Sequence, residues 1–133
     1  MNDLVAGHVA SVMASGPSAS SVVREGRIRA LALTGAQRTP FDPDVPTIAE
    51  QGFPGFAATN WYVLVVSSKV ASGTVAALNA LFTKALNAPD VRNAYGQQGM
   101  VTIASTADEA AAHIARETET WKRVIADAGI RLE

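Results

Sequence analysis

The residues of this chain that are best placed for chemistry are Ser15, Gly16, Pro17 and Ser18. They form a helix-start pattern, because proline is preorganised for the first helical turn and serine is a favoured cap. The first N–H groups of a helix have no partner within it and carry a partial positive charge. With two serine hydroxyls beside them, and with Gly16 allowing close approach, they can bind a carboxylate. The pattern therefore predicts an anion-binding turn, and the alternative is an ordinary helix cap with nothing bound.

A second candidate for ligand binding is Asn60 with Trp61, followed by Tyr62. An aromatic ring beside a polar side chain suits a small organic ligand in a cleft. The alternative is that Trp61 is a core aromatic. Thr34 and Thr47 could line the edge of such a cleft, but Thr47 also fits a helix cap.

Patterns for catalysis and metal binding are weak. The chain has two histidines, His8 and His113, far apart in sequence, and its lack of cysteine excludes disulfides, zinc–thiolate sites and thiol nucleophiles. Glu109 and Glu117 flank His113 at helical spacing, which is typical of a solvated charge ladder. No serine lies in a Gly-x-Ser-x-Gly motif, and no glycine-rich phosphate loop is present. We predict that the chain is not an enzyme and uses no cofactor and no metal.

The composition is that of a globular domain. Of the 133 residues 48% are hydrophobic and 17% charged, and the net charge of −1 gives no electrostatic reason to expect a nucleic-acid partner. A local group of arginines indicates a solvated edge: Arg24, Arg27, Arg29 and Arg38. No apolar run approaches the roughly 20 residues that span a bilayer. The acidic start at Asp3 predicts that this chain carries no signal peptide.

Alternating strand and helix patterns predict an α/β fold. Strands are expected over residues 9–14, 28–34, 56–67 and 100–103, and helices over 17–25, 70–87, 89–99 and 106–128. Glycines mark the helix ends at 26, 52, 99 and 129, and Thr47 with Glu50 and Thr106 with Glu109 have the spacing of capping boxes. The strand–helix–strand succession over 9–34 predicts a βαβ unit whose two strands pair in parallel.

Several short motifs occur in a characteristic order. They are Gly7-His8-Val9, Ser15-Gly16-Pro17-Ser18-Ala19, Gly26-Arg27-Ile28-Arg29-Ala30-Leu31-Ala32, Asp44-Val45-Pro46-Thr47, Trp61-Tyr62 and Ala128-Gly129-Ile130. In this order they resemble the C-terminal half of the Bug or TctC family, the extracytoplasmic solute-binding proteins of tripartite tricarboxylate transport systems.

The resemblance implies a periplasmic-binding-protein-like (type II) fragment with a mainly parallel sheet flanked by helices. Residues 1–59 would be part of the second ligand-binding lobe, and residues 60–133 the crossing strand and the C-terminal part of the first lobe. It also implies a periplasmic protein that binds a small carboxylated metabolite between two lobes and works with membrane permease subunits.

Two other functions stay open at this stage. One is an effector-binding lobe of a transcriptional regulator, and the other is a truncated remnant with only a structural or interaction role. Because the resemblance leaves sheet edges without neighbours, we also expect a homodimer or a strand-exchanged assembly.

Overall fold

The computed structural model describes residues 1–131, in which helices alternate with extended segments. The helices are α1 (Asn2–Val5), α2 (Gly16–Arg24), α3 (Ser72–Leu86), α4 (Pro89–Gly96) and α5 (Ala107–Asp127), with a one-turn 3-10 helix at Ala49–Gln51. The four longer α-helices confirm the predicted ones, and their ends lie within three residues of the predicted ends.

Local signals set these ends. Thr106 caps α5 in a complete capping box with Glu109, and Thr47 makes the corresponding hydrogen bonds with Glu50 at the 3-10 helix. The glycines predicted to end helices all have positive φ: Gly26 70°, Gly52 106°, Gly99 69° and Gly129 64°. A side chain would be strained at these positions, so glycine ends α2, the 3-10 helix and α5 as predicted, whereas α4 ends at Gly96, three residues before Gly99.

The extended segments form no strand ladder within residues 1–131. One isolated parallel bridge joins Leu33 to Thr47, where the Leu33 N–H donates to the Pro46 carbonyl at 2.8 Å and the Ile48 N–H to the Leu33 carbonyl at 2.9 Å. No backbone hydrogen bond of the described chain joins residues 9–14 to 28–34, so their parallel pairing stays a prediction. A helix makes its hydrogen bonds within itself, whereas a strand needs a neighbour. The mainly parallel sheet stays a prediction.

The chain forms two structural units. The first comprises Met1–Tyr62 and Asn87–Thr102, and the second comprises Val63–Leu86 and the chain from Ile103 onward. Within the second unit α3 contacts α5, and the Asn79 side-chain amide donates to the Ser105 carbonyl at 3.0 Å, just before α5 begins. The predicted division into lobes at residue 60 stays a prediction.

Burial is low throughout. Among residues 1–131 no hydrophobic side chain is fully buried, and the buried polar side chain is that of Thr47, which is 1% exposed. This buried point of the first unit is polar, since Thr47 belongs to the bridge with Leu33 and to the capping box with Glu50.

Candidate ligand-binding site

The turn at the start of α2 is closed by its own hydrogen bonds. Ser15 is extended and is the N-cap. Its carbonyl accepts the Ser18 hydroxyl at 2.8 Å and the N–H groups of Ser18 and Ala19 at 3.1 and 3.2 Å. The two serine hydroxyl oxygens lie 3.1 Å apart. The predicted helix start is thus confirmed, and Ser15 and Ser18 are brought together.

These bonds define what the turn can offer a ligand. Pro17 has no N–H, and the Gly16 amide makes no hydrogen bond within residues 1–131. Gly16 is therefore the first-turn amide that is available to an anion, and the serine hydroxyls can join it by turning away from their present acceptors. Ser18 is exposed and Ser15 half-buried, so a ligand can reach both.

Gly16 has a packing role that the sequence did not reveal. A Cβ at this position would overlap the carbonyl oxygen of Gly99, and a Cβ on Gly99 would lie 3.0 Å from the Gly16 Cα. The backbone of α2 therefore contacts the turn after α4 directly, which only glycines permit. This contact explains the missing side chain at Gly16, and its role in ligand approach stays a prediction.

An arginine holds α2 beside the same turn. The Arg24 guanidinium, in the last turn of α2, donates to the carbonyl of Gln97 at 2.6 Å. Gln97 is the C-cap of α4, where exposed carbonyls carry partial negative charge and favour a cation. Gly16 and Arg24 thus fix both ends of α2 against residues 97–99, and this fixes the candidate turn.

The second candidate pair lies in an extended segment. The Ala58 N–H donates to the Thr34 carbonyl at 2.8 Å and ties this segment to the end of residues 28–34. Asn60 is exposed and Trp61 is 38% exposed, so Trp61 is not a buried core residue. Thr47 is buried and acts as a cap, which agrees with the alternative that its pattern allowed.

The sequence did not reveal that Arg38 pairs with Glu50. The Arg38 Nε lies 3.1 and 3.0 Å from the two carboxylate oxygens, and its Nη1 donates to the Pro43 carbonyl at 3.0 Å. This hydrogen bonding raises the pKa of Arg38 and, together with the Thr47 N–H, lowers the pKa of Glu50. The pair borders a shallow depression that is also lined by Gln37. Arg38 is the one cation that lines this depression, and Glu50 already neutralises it. It offers little to an anionic ligand.

All four clustered arginines are exposed, as the predicted solvated edge requires, and three of them also have a polar partner. Arg24 contacts the Gln97 carbonyl and Arg38 pairs with Glu50, as described above. Arg27 lies 3.5 Å from the Glu25 carboxylate. Sequence reasoning missed these partners, because each pairing depends on how the chain turns and not on a repeating pattern.

Side chains of the kind used in catalysis or metal binding are scattered. His8 lies 3.5 Å from Asp3, with both side chains largely exposed. Glu109 is used in the cap of α5, and Glu117 accepts a hydrogen bond from the Trp121 indole at 3.1 Å. Within residues 1–131 no three acidic, histidine or cysteine side chains could hold a metal together. No helix of the described chain has the length and apolarity to cross a membrane.

Comparison with known proteins gives consistent matches over the whole chain. Residues 1–130 match the model of the tripartite tricarboxylate transporter family receptor. The chain is 31% identical to Protein BugT of Bordetella pertussis, over 98% of this chain and 40% of that protein. It is 37% identical to the UPF0065 protein in the tcbD-tcbE intergenic region of Pseudomonas sp., over 96% of this chain and 38% of that protein.

A solved structure has a similar backbone. R. palustris Rpa4515 with adipate superposes with a TM-score of 0.83 at 27% identity, over 97% of this chain and 43% of that one. The chain thus spans about two fifths of the length of these three relatives. The backbone that this chain shares with Rpa4515 is of the periplasmic-binding-protein-like kind.

Proposed function

Because the chain belongs to the tripartite tricarboxylate transporter receptor family, whose members are periplasmic solute-binding receptors and not enzymes, we propose that it binds a small carboxylated metabolite as part of a two-lobed receptor. The family match confirms the resemblance found in the sequence. The presence of adipate, a dicarboxylate, with Rpa4515 supports a carboxylate as the ligand class.

The observation that carries this proposal is the turn at residues 15–18. The Ser15 and Ser18 hydroxyl oxygens lie 3.1 Å apart at the positive end of the nine-residue helix α2, whose first residue, Gly16, carries a further N–H. Each hydroxyl would exchange a neutral carbonyl or hydroxyl acceptor for a carboxylate oxygen, which forms the stronger hydrogen bond. In this proposal Asn60 and Trp61 contact the carbon chain of the ligand.

The partners follow from the same family membership. The bound ligand would be delivered to membrane permease subunits, and nucleic acid is not among the expected partners. When the chain is alone, its open extended segments would lead to a homodimer or a strand-exchanged assembly.

Calorimetric titration of the whole chain with adipate, citrate and hexane-1,6-diol tests the ligand class. We expect a dicarboxylate or tricarboxylate to bind and the diol, which has the carbon chain of adipate without its charges, to be inactive. Ser15→Ala and Ser18→Ala should each weaken binding roughly tenfold, the size of one hydrogen bond to a charged group. Ser21→Ala, an exposed serine further along α2, is the matched control and should bind as the wild type does.

Two outcomes would contradict the proposal. One is that Ser15→Ala and Ser18→Ala bind the acid as strongly as Ser21→Ala does, which would show that the turn is not part of the site. No heat with either acid would favour a remnant with a structural role.

A further inference from the structure

The end of α4 is contacted from two sides at places where only a glycine fits. Gly96, the last residue of α4, is buried, and a Cβ on it would overlap the ring of Phe41. Three residues later Gly99 lies against the backbone of Gly16, at the start of α2. The end of α4 therefore joins the proline-rich loop that carries Phe41 to the helix that carries the candidate turn.

One face of α2 makes the contact on its side. Gly16, Ser20 and Arg24 are spaced four residues apart, so they share a face of α2. The Gly16 backbone contacts residues 97–99 directly. The Ser20 hydroxyl donates to the Gln97 carbonyl at 3.5 Å, and the Arg24 guanidinium donates to the same oxygen at 2.6 Å. A shift of residues 97–99 would therefore move α2 along its length, including the candidate turn at its start.

Local hydrogen bonds hold the loop around Phe41. The Asp42 N–H donates to the Thr39 hydroxyl oxygen at 3.1 Å, and the Arg38 Nη1 donates to the Pro43 carbonyl at 3.0 Å. These bonds lie on both sides of Phe41, so the loop sets where its ring lies. Because no hydrophobic side chain of the described chain is fully buried, a ring that covers a buried helix backbone is a substantial packing contact in this unit.

We propose that Phe41 sets the position of the turn at residues 15–18 through the end of α4, and is in this way a positioning residue for the ligand. Without the ring, residues 96–99 would settle towards the space it leaves, and α2 would follow them through its contacting face. The turn would then present its serine hydroxyls to a carboxylate in poorer geometry. The effect on ligand binding rests on the proposed function, whereas the coupling of Phe41 to α2 does not.

A double-mutant cycle on Phe41 and Gly96 tests the coupling without any ligand. Phe41→Ala removes the ring, and Gly96→Ala displaces it, because the three atoms nearest to the added methyl group belong to that ring. Gly96 has no positive φ, so the backbone does not strain an alanine there, and alanine is the more favourable residue in a helix. In the Phe41→Ala background Gly96→Ala should therefore do no further harm.

Hydrogen exchange at two amides measures the two steps of the coupling. The Met100 N–H, which donates to the Tyr95 carbonyl at 3.1 Å, reports the end of α4. The Ala19 N–H, which donates to the Ser15 carbonyl at 3.2 Å, reports the turn. We expect each single variant to speed exchange at both amides about tenfold, less than for a fully buried ring because Phe41 is 42% exposed. The double variant should exchange no faster than Phe41→Ala.

Phe53→Ala is the matched control, because Phe53 lies in the same unit and is 64% exposed. It should leave both amides unchanged, and equal helical circular dichroism of all variants shows that none has unfolded. Should Phe41→Ala unfold the chain, Phe41→Leu takes its place in the cycle.

Two exchange results would overturn the inference. One is faster exchange at Met100 but not at Ala19 in Phe41→Ala, because the ring would then serve α4 alone. The other is additive losses in the double variant, which would show that Phe41 and Gly96 do not act through their contact.

Titration with adipate tests the effect on binding. We expect Phe41→Ala and Gly96→Ala to bind adipate about tenfold more weakly than Phe53→Ala, which should bind as the wild type does. Unchanged affinity in Phe41→Ala would overturn the positioning role. If the wild-type chain binds neither adipate nor citrate, the proposed function fails instead, and exchange at Ala19 still decides whether Phe41 holds α2.

Discussion

The two capping boxes of this chain have the same pattern and nearly the same geometry but different surroundings. In each box the threonine Oγ1 accepts the glutamate N–H at 3.2 Å. The threonine N–H donates to the glutamate Oε2, at 2.7 Å for Thr47 and 2.8 Å for Thr106. Thr47 is buried, whereas Thr106 is exposed. Glu50 is also held by Arg38, while the other contact of Glu109 is the Thr106 hydroxyl at 2.9 Å.

The same local motif therefore serves two purposes. At Thr106 the box begins a 21-residue helix, so its effect is to satisfy the first N–H groups of α5. At Thr47 the helix has three residues, too few for a cap to matter to the helix itself. There the box holds together the turn that follows the Leu33–Thr47 bridge, and with Arg38 it closes the loop between these residues.

We expect loss of the threonine hydroxyl to matter most at the buried box. Thr47→Ala removes a buried acceptor and leaves the Glu50 N–H unpaired, which should lower the free energy of local opening by about 1–3 kcal/mol. The measurement is hydrogen exchange at the Leu33 and Ile48 amides, which form the bridge. Thr47→Ser keeps the hydroxyl and is the control that should retain most of the protection. Unchanged exchange in Thr47→Ala would show that the box and the bridge are independent.

A smaller and more local effect is expected at the exposed box. Thr106→Ala should cost about 1 kcal/mol, the usual value for loss of a threonine cap. The loss should be confined to the first turn of α5, where faster exchange of the Glu109 and Ala110 amides reports it, and Thr106→Ser should restore protection. A loss as large as that in Thr47→Ala would contradict the distinction between the two boxes.

Features that depend on a few neighbouring residues were predictable from the sequence. Both capping boxes, the helix ends at glycine and the start of α2 at Ser15 all formed as predicted, because each needs partners no more than a few residues away. The same holds for the candidate site: its position at the start of α2 came from the sequence. Its internal hydrogen bonds between Ser15 and Ser18 did not, since hydroxyl orientation has no sequence signal.

Features that depend on distant residues were not predictable. The contact between Gly16 and Gly99 joins two turns from different parts of the chain, and no periodicity connects them. Arg38 and Glu50 are twelve residues apart across a proline-rich loop, so neither helix nor strand spacing indicates their pairing. The extended segments were identified as β-prone, but propensity says nothing about which neighbour a strand finds, and within residues 1–131 they find almost none.

The two boxes should also differ slightly in how their stability depends on pH, because different groups lower the pKa of Glu50 and of Glu109. Arg38 first and the Thr47 N–H second lower the pKa of Glu50, while the Thr106 N–H and hydroxyl lower that of Glu109, each from 4.5. A lowered carboxyl pKa means that the unfolded state binds the proton more readily. The stabilisation by each carboxylate is therefore complete above pH 4.5, and it is lost as the pH falls through the pKa of that carboxyl group in the folded state.

Both carboxylates are exposed, so this contribution is small and salt weakens it. Arg38→Gln removes the main cause at Glu50 and leaves Glu109 as an internal reference. In a carboxyl NMR titration we expect the pKa of Glu50 to rise towards 4.5 and that of Glu109 to stay where it is. If Arg38→Gln left the pKa of Glu50 unchanged, Thr47 alone would hold that carboxylate, and the two boxes would differ in burial but not in electrostatics.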